Sequence, residues 1–181
     1  MKVVGIDPSL TRTGIAVKRD EVELPYTASI VSKGTKGDSW DTRSYRLTAI
    51  VDGILEHTEY AGLVVMEGPS YASASTSVHD RAGLWWLVYR ELRAQCSEVV
   101  VVSPAQRMMY ATGKGRADKA SVMAAAIRRY PQAPIGNDDE ADAYLFLAMG
   151  LRILDRPIDD LPKTHLRALD KLAVPAHLVT R

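Results

Sequence analysis

Apolar residues fall into five short, nearly continuous runs: residues 3–6, 13–18, 26–32, 63–66 and 99–102. Runs of this length, bounded by turn residues and rich in β-branched side chains, predict strands. The unbroken apolar character of Val3-Val4-Gly5-Ile6 predicts burial on both faces. Only Pro8-Ser9-Leu10-Thr11-Arg12 separates the first run from the second, so the first three strands predict an antiparallel meander. Elsewhere the apolar spacing is helical. Tyr45, Leu47, Ile50, Val51, Ile54 and Leu55 predict a helix over 41–60. Residues 78–95 carry Leu84, Trp85, Trp86, Leu87, Val88, Tyr89 and Leu92, an arc wider than one buried face requires. A short helix is predicted over 105–112, and another over 118–130 that Pro131-Gln132-Ala133-Pro134 stops. The last core helix begins near Asn137, where Glu140 three residues on has the spacing of a capping box.

The order β-β-β-α-β-α-β-α-α predicts an α/β fold. Its five-stranded mixed sheet has three antiparallel strands first, then right-handed parallel crossovers, with helices flanking it. Residues 1–154 form the expected domain. Residues 155–181 form a proline-punctuated C-terminal tail with one amphipathic piece around Leu166, Leu169 and Leu172. Residues 69–77, rich in Ser, Ala and Thr, read as an aperiodic loop.

Composition narrows the function classes. The chain has 181 residues, enough for one domain, with 46% hydrophobic and 25% charged residues, as in a soluble globular protein. A formal net charge of +1 gives no global electrostatic footprint for nucleic acid, so any basic patch must be local. A single cysteine, Cys96, cannot close an internal disulfide and predicts a reducing, cytoplasmic setting, in a prokaryotic cell or a virus-infected host. No apolar stretch approaches the ~20 residues of a spanning helix, and the N-terminus has no signal-peptide core, so no membrane partner is expected. His57, His79, His165 and His177 are scattered, without metal-ligand spacing.

The chemistry lies in carboxylates at the edges of apolar segments. Asp7 ends the first strand and Glu67 the fourth. In the last helix Asp139, Asp142, Phe146, Met149 and Ile153 share one stripe, so two acids head a face that must turn toward the sheet. Each acid alone has an ordinary explanation. Asp7 before Pro8 suits a turn, Glu67 before Gly68-Pro69 a strand end, and Asp138, Asp139 and Glu140 the first turn of a helix. Together, four carboxylates around one cleft cannot all stay ionised without cations between them. Two Mg²⁺ or Mn²⁺ ions ~3.5–4 Å apart would supply them, and the chemistry of such a site is in-line phosphoryl transfer. Asp138 is the nearest rival to Asp139 for the third ligand position.

These motifs carry a resemblance. Gly5-Ile6-Asp7-Pro8-Ser9 with Thr13-Gly14, Met66-Glu67, Gly113-Lys114-Gly115-Arg116-Ala117-Asp118-Lys119 and Asp139-Glu140-Ala141-Asp142-Ala143 resemble, in order and spacing over about residues 2–151, the motifs of RuvC-type Holliday junction resolvases. The resemblance implies an RNase H-like fold and a homodimeric, Mg²⁺-dependent endonuclease that resolves four-way DNA junctions by paired nicks. Water attack would leave 5′-phosphate and 3′-hydroxyl ends. It implies Asp7, Glu67, Asp139 and Asp142 as metal ligands, with Lys119 close to the scissile phosphate. The sequence departs from the family pattern at Ser9, where a glycine is usual, and at Gln106-Arg107-Met108-Met109, where Arg107 takes the place of a lysine.

Branched DNA is the expected partner. Lys114, Arg116, Lys119 and Arg107 are candidate phosphate contacts, and Tyr71 a candidate for stacking on an unpaired base. The wide apolar arc of residues 78–95 is the expected homodimer surface. Three other readings remain open: an RNase H-like nuclease acting on flaps, branched DNA or RNA–DNA hybrids, an actin-like ATPase, and a catalytically idle DNA-binding module. Chain length opposes the ATPase, which needs two such domains. Four retained acids oppose the idle module, since unneeded buried charge destabilises.

Overall fold

The computed structural model describes residues 1–69, 77–95 and 97–178. Five strands form one sheet: β1 (Lys2–Asp7), β2 (Arg12–Arg19), β3 (Tyr26–Val31), β4 (Ala61–Glu67) and β5 (Glu98–Val102). Their order across the sheet is β3-β2-β1-β4-β5. β1 pairs antiparallel with β2 and parallel with β4, β2 pairs antiparallel with β3, and β4 pairs parallel with β5. This is the mixed sheet, antiparallel in its first three strands, that the apolar runs predict, and the fold is RNase H-like.

Alternation along the strands divides the core into two layers. Val4, Ile6, Ile15, Val17, Val64 and Met66 face α1 (Trp40–Thr58) and α2 (Val78–Ala94). Val3, Ala16, Leu63, Val65, Val100 and Val102 face the other way, toward α3 (Pro104–Thr112), α4 (Lys119–Arg129) and α5 (Asp138–Ile153). The period of two also puts Asp7 and Glu67 on the α5 side, two positions beyond Gly5 and Val65.

α5 is buried along every residue from Ala141 to Leu151. The predicted single inward stripe is therefore exceeded: the sheet lies under one side, while α3, α4 and the tail close over the other. Close approach to the sheet is possible because β1 and β2 present no side chain there. A Cβ added to Gly5 would overlap the Ala143 carbonyl and the Leu147 backbone nitrogen, and one added to Gly14 would overlap the Asp139 carbonyl. Glu140 fixes the helix start from another side. Ser29 donates to its Oε1 (2.6 Å), and the Gly136 N–H to its Oε2 (2.8 Å). Only half of the predicted capping box forms: Asn137 Oδ1 accepts from the Glu140 N–H, whereas the Glu140 side chain is drawn to β3 and Gly136. The reciprocal box sits instead at α3, between Ser103 and Gln106, with Pro104 in its first turn.

Beyond α5, Leu161 and Ala168 are buried in the same apolar layer, and α6 (Lys163–Leu166) lies against α3. The Asp159 carboxylate accepts from Tyr110 (3.2 Å), Tyr130 and Arg152, joining this segment to α3, α4 and α5. Burial first, and the charge of Asp159 second, push the Tyr110 hydroxyl up to about 12, so it stays a donor. No helix among the described residues is long and apolar enough to cross a membrane.

Gly14→Ala would force the start of α5 off the sheet. A loss of about 1–3 kcal/mol in urea denaturation is expected, the usual cost of overpacking against immovable backbone. A variant as stable as the parent would show that α5 is not seated on this glycine.

Candidate active site

β1 and β4 run parallel with Ile6 opposite Met66, so the next residues, Asp7 and Glu67, end side by side. The turn after Asp7 is tied by Thr13: its Oγ1 accepts from the Ser9 N–H (3.0 Å) and donates to the Ser9 carbonyl (3.0 Å). The end of β4 is tied by Trp85, whose Nε1 donates to the Glu67 carbonyl (2.8 Å), and by the Gly68 N–H to the Val102 carbonyl (2.7 Å). Over these strand ends α5 brings Asp142, which is buried, and Asp139 one turn earlier, which is half-buried.

Burial, the charge of Glu67 and then that of Asp139 push the Asp7 carboxyl from 3.8 up to about 8. Glu67 is also raised, by burial, against the opposing charges of Arg107 and Lys119 and a hydrogen bond with Asp7. Without a bound cation, Asp7 therefore keeps a proton at neutral pH and shares it with Glu67. Asp139 is raised too, by burial and then by neighbouring Asp138.

One cation comes from the protein itself. Arg107 of α3 donates through Nη1 to Asp142 Oδ2 and places Nη2 3.5 Å from Glu67 Oε1. Its side chain is only 12% exposed, so it faces the acids rather than the solvent. α3 explains this: Arg107 shares a helical face with Tyr110 and Ala111, both buried. That phase could be read from Ser103-Pro104-Ala105-Gln106, which marks the helix start.

The other candidates form a rim. Lys119 is 74% exposed and donates to Asp138 Oδ2 (3.1 Å). That bond holds the Asp138 carboxyl below its ordinary value and raises Lys119. Asp138 thus faces Lys119, while Asp139 is the helix-start acid whose charge reaches Asp7. Lys114 and Arg116 are exposed on the loop after Gly113, which ends α3 at φ 77°. They do not reach the acids. They line an open cavity of about 870 Å³ with Arg128, Arg129 and His165. A second cleft of about 380 Å³, lined by Pro8, Leu10, Pro69, Trp85 and Trp86, opens directly beside Glu67. Tyr71 and Cys96 lie outside the described residues.

The donor chemistry fits a hard divalent cation: only carboxylate oxygens are offered, their charges repel, and Glu67 Oε1 is buried without a hydrogen-bond partner. Among the described residues no three acid, His or Cys side chains yet stand around a single point, and Asp142 is engaged by Arg107.

No protein-family model matches the chain. It is 27% identical over 147 residues to the crossover junction endodeoxyribonuclease RuvC of Prochlorococcus marinus (strain MIT 9301), covering 79% of this chain and 91% of the relative. The Thermus thermophilus RuvC structure superposes with a TM-score of 0.64 at 17% identity, over 86% of this chain and 98% of that one. The T. thermophilus RuvC in complex with its Holliday junction substrate gives 0.59 at 18% identity, over 81% and 90%. The likeness to RuvC-type resolvases carried by the short motifs thus extends over most of the chain, in sequence and in fold.

The proton on Asp7 makes stability depend on pH. Folded, the group binds a proton up to about 8; unfolded, it releases it near 3.8. Between those values the folded state holds the extra proton, so this group's contribution falls as pH rises. Asp7→Asn lacks that fall. In EDTA its stability advantage over the parent should grow across the interval and level off above it, reaching on the order of a few kcal/mol. A difference that stays flat with pH would contradict the shared proton.

Proposed function

We propose that this RuvC-like chain is a divalent-metal-dependent endonuclease that resolves four-way DNA junctions by paired, symmetric nicks. The observation that carries the reading is the meeting of Asp7 and Glu67 on adjacent strand ends beneath Asp139 and Asp142 of α5. Such a meeting of acids, with Arg107 as the internal cation beside them, suits no ordinary structural role, since buried like charges destabilise a fold. The relatives' names supply the substrate class, and the T. thermophilus protein was solved with such a junction.

In this reading Asp7, Glu67, Asp139 and Asp142 hold Mg²⁺, with Mn²⁺ as a substitute, in two sites. The bound ions supply a nucleophilic water and charge stabilisation for the leaving 3′ oxygen. Lys119, an exposed point charge on the rim, contacts the phosphate to be cut. Lys114 and Arg116 carry the backbone away along the basic cavity they line. The products are 5′-phosphate and 3′-hydroxyl ends. Residues 1–154 constitute the nuclease domain in this reading, and the protein works in a reducing cytoplasm. The exposed Trp86 on α2, with Trp40 at the adjoining start of α1, supports a homodimer through this face.

Cleavage of matched four-way, flap, RNA–DNA hybrid and linear duplex substrates with Mg²⁺ tests the reading. Paired symmetric nicks confined to the four-way junction are expected. Equal cutting of linear duplex would overturn the resolvase assignment, and a preference for flaps or hybrids would favour another RNase H-like nuclease. Asp7→Asn should lower cleavage roughly a thousandfold or more, the scale of several kcal/mol of lost charge stabilisation, while junction binding persists. Trp86→Glu should shift the sedimenting species from dimer to monomer. A parent protein that sediments as a monomer would remove the dimer from the proposal.

A further inference from the structure

Three buried or half-buried arginines lie on the α5 side of the sheet, and they are bonded very differently. Arg129 donates to the carbonyls of Tyr110 (3.0 Å) and Ala111 (2.7 Å) and also meets His165 Nδ1 (3.2 Å). Arg152 donates to the Asp159 carbonyl (2.6 Å), the Asp159 carboxylate and the Tyr110 hydroxyl (3.3 Å). Each satisfies at least two acceptors, as a structural guanidinium with five N–H donors can. Arg107 is as deeply placed, 12% exposed against 16% for Arg152, yet among the described residues it makes one hydrogen bond, to Asp142. Its Nε is buried without a partner, and so is Glu67 Oε1, the acid oxygen 3.5 Å from Nη2.

We propose that Arg107 is a displaceable internal counter-ion, holding Asp142 and Glu67 together until a divalent cation takes its place. This rests on the reading of the acids as a metal site. Asp142 and Glu67 come from different elements, α5 and β4, and among the described residues the positive charge bridging them belongs to α3. A cation entering between these carboxylates meets a guanidinium already there, and two positive charges a few ångströms apart repel strongly at low dielectric. The sparse bonding of Arg107 limits what its withdrawal gives up: one hydrogen bond to Asp142 and the 3.5 Å contact with Glu67, both of which the incoming cation replaces, while Nε gains access to solvent or to a phosphate oxygen. Arg107 is therefore a positioning residue for the metal-free acids. Once displaced, it is a cation set free beside the site at the moment an anionic substrate arrives.

The test measures Mn²⁺ binding by titration calorimetry and thermal unfolding in EDTA and in saturating Mn²⁺, without DNA. The full chain is compared with Arg107→Met, Arg107→Gln and Arg107→Lys. Neutral Met and Gln variants should bind Mn²⁺ at least about tenfold tighter than the parent, the scale of one unit charge removed from beside the ion. They should unfold at lower temperature in EDTA and gain more from Mn²⁺ than the parent does. Lys, which keeps the charge, should bind Mn²⁺ close to the parent's affinity. Arg107→Gln, able to donate to Asp142, keeps the comparison open if the Met variant fails to fold. Equal or weaker Mn²⁺ binding by the neutral variants would overturn the displacement while leaving the metal site standing. Absence of Mn²⁺ binding by every protein, parent included, would overturn both.

Discussion

The molecule depends on an absence: no Cβ at Gly5 or Gly14. These two positions, on the neighbouring strands β1 and β2 with Gly5 opposite Ala16 and Gly14 opposite Asp7, let the backbone of α5 lie directly against the backbone of the sheet. Ala16 continues the shallow track on β2. Seated there, α5 can be covered on every other side by α3, α4 and the tail, which is why its residues from Ala141 to Leu151 are buried without a polar face. The same seating carries Asp139 and Asp142 to the strand ends where Asp7 and Glu67 wait. Two missing methyl groups thus set both the central packing contact and the spacing of the acids.

Charge then becomes the governing quantity. Buried Asp7 and Asp142, with Glu67, Asp139 and the rim acid Asp138, exceed what Arg107 and Lys119 can neutralise, and the molecule responds in three ways. Asp7 keeps its proton, Asp142 and Glu67 share the guanidinium of Arg107, and Asp138 at the rim pairs with exposed Lys119. Elsewhere the buried charges are settled. Asp159, with its side chain 2% exposed, is held by Arg152 and two tyrosine hydroxyls. That contrast separates a carboxylate placed to hold the fold from carboxylates left in deficit.

The strands were legible because alternation and β-branched runs are local signals, and the mixed character of the sheet, antiparallel first and parallel after, followed from short turns and crossovers. The acids were legible because Asp7 and Glu67 end those strands and Asp139 and Asp142 share a helical phase. What the sequence reading misplaced depends on contacts between distant segments. Asn137 and Glu140 have capping-box spacing, but Ser29 on β3 claims the Glu140 side chain. Arg107 reads as a candidate phosphate contact, and its pairing with Asp142 and Glu67 comes from the docking of α3 beside α5 and β4, which no local signal gives. In the segment after α5 the amphipathic piece around Leu166, Leu169 and Leu172 was legible and packs against the core, whereas Leu161 and Ala168 gave no local sign of burial because their partners lie on other helices. Asp159 gives no local hint of the two tyrosines it anchors.

The seat at Gly5 and Gly14 also orders events in time. Those glycines emerge early in synthesis, within an antiparallel meander whose contacts are local, whereas α5 follows only after α1 to α4. Until it arrives, the α5 side of β1 and β2 is bare apolar surface at the centre of the sheet. The acid corner is consequently a late, long-range product of folding, assembled by contacts of high sequence separation. A nascent chain of this design therefore holds a finished hairpin long before its acids meet at the strand ends.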